Sequence, residues 1–528
     1  MTGRGVIFDL VAAQSPSYRG RGIARYSTEL VRAIVRGYPE LVSAVVLHPG
    51  LPMPGGLDDL RDWVTTEPDW ASASVVHLSS VIEPEVPVRT YWAREASANR
   101  LLTAVTLYDL IPDMFPGWYL EDPGLRRRWR CCREVVRAAD AVFTLSQAAR
   151  NDAMSRLGLP ARRVHVVGSG TAAAFHPPES KAAAFQVAKK GVRGLRQGFI
   201  VYNGAFNPRK NVDRLIEGYA SLPRAIVDGH QLVIVCDAPP LTRNHYLVKA
   251  RELGIDGRLL IPGFVGEPVL VALYQSTDLA VYPSLYEGYG LPVVESMACG
   301  APSIAGDNSS LREILPREAR FQPEDPGAIA EAIERALVDT VYRGRLLALA
   351  AREPPAWGPV ADRAAAVLQQ MLERAGRWRP GWRRRSRLAL VGAPSELASA
   401  LRPLADCDRF AAPSVDYGAD EAAPPTGTGA ERALSFSALA RLDAWRGGYD
   451  AVVAWADELG EEELGVMEAV AAGSPGPVIA LVGQAGASTG PAVPSRLANL
   501  GLDIVRVQAG SWDVAARTVA EAARGRRS

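Results

Sequence analysis

The sequence predicts an α/β protein built from parallel sheets. Short apolar runs recur along the chain, helical patterns separate several of them, and polar glycine-containing loops follow two of the runs. Strands and helices that alternate in this way form parallel sheets covered on both faces. The 528 residues are enough for about three domains, at roughly 150 residues each.

The composition is that of a globular protein and argues against several classes. Hydrophobic residues make up 48% and charged residues 22% of the chain, and its net charge is +1. A nearly neutral chain has no overall attraction for nucleic acid. No apolar run approaches the ~20 residues that cross a bilayer. The five cysteines are odd in number and form no Cys-x-x-Cys motif, which argues against a disulfide framework or a zinc site and favours a cytoplasmic protein.

The first predicted domain spans residues 1–185. Its opening segment RGVIFDL predicts a buried strand, and a loop with Gly20 and Gly22 then leads into the amphipathic helix IARYSTELVRAIVRG. Strand, glycine loop and helix in this order begin a doubly wound α/β domain. The other strands of this domain are predicted at 43–48, 74–80, 101–110, 141–146 and 163–168.

A second α/β domain is predicted over residues 198–355. Residues 171–197 are polar, basic and contain proline, and are interpreted as the link that precedes it. Its strands are predicted at 199–204, 231–236, 258–265, 278–284 and 301–307. Its helices are predicted at 211–221, 268–276, 292–299, 326–339 and 341–351. A closing helix is predicted at 356–376.

The rest of the chain predicts a basic linker and an additional α/β domain. The linker, RWRPGWRRRSR (377–387), is rich in tryptophan and arginine. It is either a solvated connection or a peripheral contact with anionic lipid headgroups. Residues 388–528 alternate apolar runs with helical patterns but carry no glycine-rich phosphate signature. We hypothesise that this domain docks a partner, dimerises or presents the acceptor. If it dimerises, the protein forms a homo-oligomer.

The segment VYNGAFNPRKN (201–211) predicts an anion site. A strand ends at Gly204, and Arg209 and Lys210 then open a helix. Cations at a helix start oppose the helix dipole, so their presence there is explained if an anion is held between them. Lys210 is the stronger candidate for phosphate, with Arg209 assisting, and the alternative is a solvated charge pair.

The segment YPSLYEGYGLPVVESMACGAP (282–302) combines two carboxylates with a glycine turn. Glu287 follows a strand, Gly288 and Gly290 allow close backbone approach, and Glu295 lies in the helix that begins near Leu291. Ligands of open α/β sheets bind at the carboxyl ends of the strands. The amides of such a turn can hold a phosphate while the two acids bind hydroxyl groups.

These segments resemble the family 4 retaining nucleotide-sugar glycosyltransferases, whose GT-B fold places two Rossmann-like domains across a cleft. The donor-side resemblance rests on YNGAFNPRKNVDRLIEGY, IPGFV and YEGYGLPVVESMACGAPSIAGDNSSLREI. The acceptor-side resemblance rests on RGRGIARYSTELVRAI, VTLYDLIPDMFP and ADAVFTLSQAARNDAMSRLGLPARRVHVVGSG. It covers about residues 1–375 and is nearest to the bacterial mannosyltransferase-like branch. Residues 388–528 are similar, weakly, to half of a second glycosyltransferase.

The resemblance implies a role for each candidate residue. Glu287 would bind hydroxyls of the donor sugar near the transfer centre, and Glu295 would bind the ribose. The diphosphate would be held by Arg209 and Lys210 together with the loops around Gly20, Gly22, Gly204, Gly288, Tyr289, Gly290 and Leu291. Phe264 and Val265 would line the nucleobase, whereas Ser309 and Glu313 are expected to be structural.

One departure from the family pattern concerns the end of the strand in VTLYDL. Relatives often have His-Asp there, and this chain has Tyr108 and Asp109. In relatives this histidine commonly contacts the donor sugar or lies near the attacking hydroxyl. Tyr108 is therefore the candidate for that contact, since it can form hydrogen bonds, but it cannot act as an imidazole. Asp109 is the best polar candidate on the acceptor side, and its alternative role is to cap the loop that follows.

The expected activity is therefore a retaining hexosyl transfer from a nucleotide diphosphate sugar. GDP-mannose is the favoured donor, and UDP- and dTDP-sugars are the alternative donors. The acceptor is a hydroxyl of a glycan, a lipid-linked sugar or a small molecule. The family mechanism passes the proton to the leaving phosphate, and the chain has no Asp-x-Asp motif at a strand end, so we expect no metal and no cofactor. The alternative is a catalytically silent sugar-nucleotide-binding scaffold.

Overall fold

The computed structural model describes three parallel sheets that follow one another along the chain. The described residues are 5–15, 22–82, 101–237 and 239–376, and five strands between residues 386 and 508. The predicted α/β class is confirmed, because every strand pairing in the described residues is parallel.

The first domain contains a seven-stranded sheet in the order β3-β2-β1-β4-β5-β6-β7. Its strands are β1 (Gly5–Asp9), β2 (Val42–Val46), β3 (Val64–Thr65), β4 (Ala73–Leu78), β5 (Leu102–Leu107), β6 (Ala141–Thr144) and β7 (Val164–Val166). Its helices are Val11–Gln14, Gly22–Gly37, Ile111–Met114, Pro116–Tyr119, Pro123–Ala138 and Gln147–Leu157. Two clusters of buried apolar side chains cover the faces of this sheet.

The second domain contains a six-stranded sheet in the order β10-β9-β8-β11-β12-β13. Its strands are β8 (Phe199–Asn203), β9 (Gln231–Val235), β10 (Leu259–Gly263), β11 (Leu279–Tyr282), β12 (Ser303–Gly306) and β13 (Arg320–Phe321). Its helices are Val212–Ala220, Arg224–Gly229, Pro240–Glu252, Glu267–Ser276, Leu291–Ala298, Leu311–Ile314, Pro326–Val338 and Thr340–Ala350. In both domains the strand order reverses beside the first strand, as in a Rossmann fold.

The segment interpreted as a link contains a helix, Lys181–Gly191, which differs from the expectation for 171–197. Ser180 caps it by accepting a hydrogen bond from the amide of Ala183 at 3.3 Å. Its buried Ala188 joins the core of the second domain. Because the apolar face of this helix is mostly alanine, its periodicity is weak in the sequence.

A long helix, Trp357–Gly376, returns the chain from the second domain to the first. Its buried residues Val360, Ala364 and Leu368 belong to the same apolar cluster as β1. The guanidinium of Arg363 donates to the carbonyl of Val167 at 2.8 Å. The first domain is therefore completed by residues far along the chain.

The third sheet has five strands in the order β15-β14-β16-β17-β18. They are β14 (Ser386–Val391), β15 (Ala405–Phe410), β16 (Ala451–Ala456), β17 (Val478–Gln484) and β18 (Asp503–Gln508). This order is that of a doubly wound, flavodoxin-like sheet. Residues 377–385 of the basic linker lie outside the described residues.

Candidate active site

The cleft between the first two domains gathers the polar residues that the sequence singles out. The strand order of the second sheet reverses between β8 and β11. The loop after β8 leads to Lys210, and the loop after β11 leads to Glu287. Ligands of open α/β sheets bind at such a reversal, outside the carboxyl ends of the strands.

Gly288 is the point where the second domain touches the end of β5 in the first. A Cβ built on Gly288 would lie 2.4 Å from the carbonyl oxygen of Tyr108 and 2.9 Å from Cβ of Asp109. The hydroxyl of Ser146, also in the first domain, donates to the carbonyl of Gly288 at 2.6 Å. Only glycine fits this contact, which brings the neighbouring Glu287 close to the acceptor-side loop.

Glu287 is ion-paired with both candidate cations. Its Oε1 lies 2.5 Å from Nζ of Lys210, and its Oε2 lies 2.9 Å from Nη1 of Arg209. Ser309 and Ser310 hold its backbone amide and carbonyl at 2.8 and 2.9 Å. Burial alone would raise the pKa of Glu287, but the two cations lower it to about 2. The carboxylate therefore stays ionised and is a poor proton acceptor.

The turn that carries the cations is fixed by asparagines at its two ends. Asn207 accepts a hydrogen bond from the amide of Lys210 at 3.2 Å. Asn211 adopts a left-handed conformation with φ of 59°, and its Nδ2 donates to the carbonyl of Pro283 at 3.0 Å. Asparagine tolerates this conformation better than most residues. The turn Pro208–Lys210 is thereby anchored to the end of β11.

Both cations are held in partly or fully buried surroundings. Arg209 is only 8% exposed, and its Nε donates to the hydroxyl of Tyr119 in the first domain at 3.3 Å. Burial lowers the pKa of Lys210, an effect that the charge of Glu287 only partly offsets. A desolvated cation gains strongly from a nearby anion, because its own hydration has already been removed.

Tyr108 directs its hydroxyl into the first domain. The oxygen lies 2.9 Å from Oγ of Ser27 and donates to the carbonyl of Ser79 at 3.0 Å. The ring packs edge-on against Tyr26, with centroids 5.5 Å apart. The group of Tyr108 that faces Gly288 is its carbonyl, as described above. Its predicted contact with a donor sugar stays a prediction.

Asp109 caps the loop that follows it, which is the alternative role predicted from the sequence. Its Oδ1 accepts a hydrogen bond from the amide of Ile111 at 3.0 Å. Burial raises the pKa of Asp109, and the charge of Glu287 adds to this, whereas Arg209 and Lys210 oppose it. Cβ of Asp109 packs against Gly288, the neighbour of Glu287, so the cap is compatible with a role in the cleft.

A second close approach between the domains involves two helix starts. The helix that begins at Leu291 follows Gly290, whose φ is 107°, and has no side-chain cap. A Cβ on Gly22, the first residue of the helix in the first domain, would lie 3.0 Å from Cδ1 of Leu291. Gly20 lies outside the described residues. Gly204 packs against its own strand, because a Cβ there would lie 2.4 Å from the hydroxyl of Tyr202.

Three other predicted contacts lie on the borders of the cleft. The hydroxyl of Tyr289 donates to the carbonyl of Ser169 in the first domain at 3.4 Å. Phe264 follows β10 and is 74% exposed, while Val265 packs against the core of the second domain. An exposed aromatic ring at a strand end is available for stacking, as the predicted nucleobase contact requires.

Glu295 is paired with a residue that the sequence did not single out. Its Oε1 lies 2.5 Å from Nη1 of Arg25, whose Nη2 lies 3.1 Å from Oε2 of Glu267. The guanidinium also lies over the ring of Phe175, 5.2 Å from its centroid. Glu295 is 6% exposed, and burial raises its pKa although the charge of Arg25 lowers it.

Glu313 and Ser309 have the structural roles expected of them. The carboxylate of Glu313 accepts hydrogen bonds from the amides of Gln147 and Ala148 at 2.9 and 2.8 Å. It therefore caps a helix of the first domain from the second. Arg25 had a signal that could have identified it, since it is a cation near the start of a helix. Lys210 likewise lies in the turn that precedes the helix Val212–Ala220.

The described residues hold neither a candidate metal site nor a candidate membrane-spanning helix. They contain no group of three or more histidine, cysteine, aspartate or glutamate side chains that could hold a metal ion. None of their helices is long and apolar enough to span a membrane.

Two solved structures of similar shape define the class of the fold. HepE of Anabaena, in complex with UDP and glucose, matches with a TM-score of 0.53 and 17% identity, over 69% of this chain and 99% of that one. Sucrose-phosphate synthase of Thermosynechococcus elongatus matches with a TM-score of 0.52 and 19% identity, over 70% of this chain and all of that one. The first two domains therefore form a GT-B fold, as predicted.

Residues 186–349 match the family model described as glycosyl transferases group 1. The matched residues include Lys210, Glu287 and Glu295. The match confirms the resemblance found in the sequence.

Curated relatives extend the similarity to bacterial mannosyltransferases. The serotype-specific mannosyltransferase WbdA of Escherichia coli is 32% identical over 248 residues, 47% of this chain and 30% of that protein. The O-antigen chain mannosyltransferase B of Escherichia coli is 29% identical over 248 residues, 46% of this chain and 64% of that protein. The chain thus spans less than two thirds of the length of these relatives.

Proposed function

We propose that the protein is a retaining glycosyltransferase that moves a hexose from a nucleotide diphosphate sugar to an acceptor hydroxyl. GDP-mannose is the favoured donor, because the similar proteins WbdA and mannosyltransferase B are named as mannosyltransferases. UDP- and dTDP-sugars are the alternatives. The acceptor class is a glycan, a lipid-linked sugar or a small molecule.

The observation that carries this proposal is the charged cluster at the meeting point of the two domains. Lys210 and Arg209 flank Glu287, which lies next to the contact of Gly288 with Tyr108 and Asp109. Cations held in fixed positions stabilise the charge that develops on a leaving diphosphate. A carboxylate kept ionised between them can accept hydrogen bonds from sugar hydroxyls.

The proposed reaction breaks the bond between C1 of the sugar and the phosphate oxygen. The acceptor oxygen forms its new bond to C1 on the face from which the diphosphate leaves, and its proton passes to the departing phosphate oxygen. The configuration at C1 is therefore retained. A pKa of about 2 for Glu287 supports this route, since a base with so low a pKa is a poor proton acceptor.

Charge balance in the cleft would come from the protein itself. Lys210, Arg209 and the amides at the start of the helix at Leu291 are available to the diphosphate. We therefore propose a reaction without a metal ion or cofactor. Glu295 would hold the ribose, and Phe264 and Val265 the nucleobase.

We also propose a cytoplasmic location and further partners for the protein. A cytoplasmic protein would meet a lipid-linked acceptor at the inner face of a membrane, and the basic linker 377–387 would aid that contact. Residues 388–528 would dock a partner, present the acceptor or form a homo-oligomer. Binding to anionic liposomes, with and without residues 377–387, tests the membrane contact.

Donor turnover by the full chain tests the proposed activity. Purified protein is incubated with GDP-mannose, UDP-glucose or dTDP-glucose, and the released nucleotide is measured with and without candidate acceptors. We expect release from one donor, and loss of at least a hundredfold in the Glu287→Gln variant. The exposed Glu331→Gln variant is the matched control. Absence of release from every donor, or full activity of Glu287→Gln, contradicts the proposal.

The alternative is a sugar-nucleotide-binding scaffold without turnover. It is favoured by Tyr108, which replaces the histidine of relatives and has its hydroxyl engaged within the first domain. Binding of a nucleotide sugar that raises the thermal unfolding midpoint, without any release of nucleotide, would select this alternative.

A further inference from the structure

Arg25 joins the two domains across the cleft. It lies in the first turn of the helix Gly22–Gly37 of the first domain, and its guanidinium bridges Glu295 and Glu267 of the second. The side chain of Arg25 is 27% exposed and that of Glu295 is 8% exposed. Arg25 therefore covers the carboxylate that is proposed to bind the ribose of the donor.

The position of Arg25 in its helix is unfavourable without an anion. The first turn of this helix contains no acidic residue, and a cation there opposes the helix dipole. The anions that compensate Arg25 in this arrangement both belong to the other domain. Since Arg25 and the ribose would use the same carboxylate, a bound nucleoside would compete with Arg25 for Glu295.

The charge near the proposed diphosphate site favours a third cation. Lys210 and Arg209 are both paired with Glu287, so the three groups together carry one positive charge. The diphosphate of a sugar nucleotide carries one negative charge on each phosphate. At least one further positive charge is therefore needed to balance the diphosphate.

Arg25 is placed to supply that charge. Gly22, three residues earlier on the same helix, touches Leu291, whose amide is a proposed phosphate donor. Residues three apart lie on the same face of a helix. The side chain of Arg25 therefore starts about one turn from the contact between the two helix starts.

We propose that Arg25 exchanges partners when a nucleoside diphosphate binds. This inference rests on the proposed function. The ribose hydroxyls take Glu295 from Arg25, and the released guanidinium binds the diphosphate. Arg25 thus makes affinity for the diphosphate depend on occupation of the ribose site, and it couples both events to the contact between the domains.

Calorimetric titration of the full chain separates the two halves of the exchange. The diphosphate that binds most tightly among GDP, UDP and dTDP is compared with its own nucleoside. In Arg25→Gln we expect the Kd of the diphosphate to rise at least tenfold, while the Kd of the nucleoside stays equal or falls. Arg25→Lys keeps the charge and should recover part of the loss, since lysine lacks the bidentate geometry of arginine.

Two further variants control the experiment. Arg374→Gln removes an exposed arginine paired with Asp140 at 3.2 Å, away from the cleft, and should change neither Kd. Glu267→Gln frees Arg25 from its second partner and should lower the Kd of the diphosphate two- to fivefold. It keeps the proposal falsifiable if Arg25→Gln does not fold.

Three results would overturn the inference. An equal loss of affinity for nucleoside and diphosphate in Arg25→Gln would make Arg25 only a structural link. Unchanged Kd values in Arg25→Gln and in Glu267→Gln would exclude the exchange while leaving the proposed function intact. Failure of the wild-type chain to bind any of the three diphosphates would instead overturn the proposed function, and this inference with it.

Discussion

The Cα of Gly288 packs directly on the carbonyl oxygen of Tyr108, so closely that an added methyl carbon would lie 2.4 Å from it. The two residues belong to different domains. Any side chain at position 288 must therefore push the loop that carries Glu287 away from the loop that carries Asp109.

We expect Gly288→Ala to impair turnover rather than folding. Displacement of reacting groups by about 1 Å can cost roughly a hundredfold in rate, so kcat/KM should fall by about that factor. Steady-state kinetics on the best donor would measure it. Gly257→Ala is the control, since a Cβ on Gly257 meets no atom within 4 Å. Unimpaired turnover in Gly288→Ala would show that the close contact is dispensable.

The stability contributed by Glu287 should vanish in acid. Its pKa falls from the usual 4.5 to about 2 because Arg209 and Lys210 oppose the effect of burial. A lowered pKa means that the native state favours the ionised form, so the contribution is complete above pH 4.5 and is lost as the pH falls toward 2. The pH-dependent part amounts to about 3 kcal/mol.

Urea unfolding of the wild type and of Glu287→Gln at a series of pH values would measure this contribution. The difference in the free energy of unfolding should be largest above pH 4.5 and should narrow below it. Glu331→Gln should show no such trend. A difference that is constant with pH would contradict the pairing of Glu287 with the two cations.

Asp109 can be tested for a role beyond its cap. Asparagine can still accept the hydrogen bond from the amide of Ile111, but it has no charge. We expect Asp109→Asn to keep the thermal unfolding midpoint and to lower kcat at least tenfold, because the charge beside Lys210 and Arg209 is lost. Asp109→Ala should lower both the thermal unfolding midpoint and kcat. Wild-type kcat in Asp109→Asn would reduce Asp109 to a cap.

The hydroxyl of Tyr108 should matter more for stability than for rate. Tyr108→Phe removes its bonds to Ser27 and to the carbonyl of Ser79. The expected cost is about 1 kcal/mol in the free energy of unfolding. We expect kcat to change less than twofold, measured beside the unfolding curve. A large fall in kcat at unchanged stability would instead place this hydroxyl in the reaction.

The sequence predicted the parallel sheets because most of their strands are continuous apolar runs. The strands that the sequence did not predict lack such a run: β3 and β13 have two residues each, and β15 mixes polar and apolar residues in ADCDRF. The helix Pro240–Glu252 was also missed, since its few buried residues give little periodicity.

The charged cluster was predictable because it depends on one sheet. Lys210 and Glu287 follow neighbouring strands of that sheet, whose carboxyl ends lie at the same edge. The pairing of Arg25 with Glu295 depends on how two separate domains meet, across 270 positions of sequence. The cap that Glu313 provides for the helix at Gln147 has the same origin. No periodicity or local motif carries that information.

The return of the chain through the helix Trp357–Gly376 has a mechanical consequence. The outgoing and returning segments touch where the amide of Thr171 donates to the carbonyl of Pro355 at 2.7 Å, and a Cβ on Gly170 would lie 2.6 Å from the ring of Trp357. Two segments of the chain therefore connect the two domains, and they are packed against each other where they cross. A fragment that ends before residue 351 would keep the loop that carries Asp109 but would lack the helix Trp357–Gly376, which forms part of the core of the first domain.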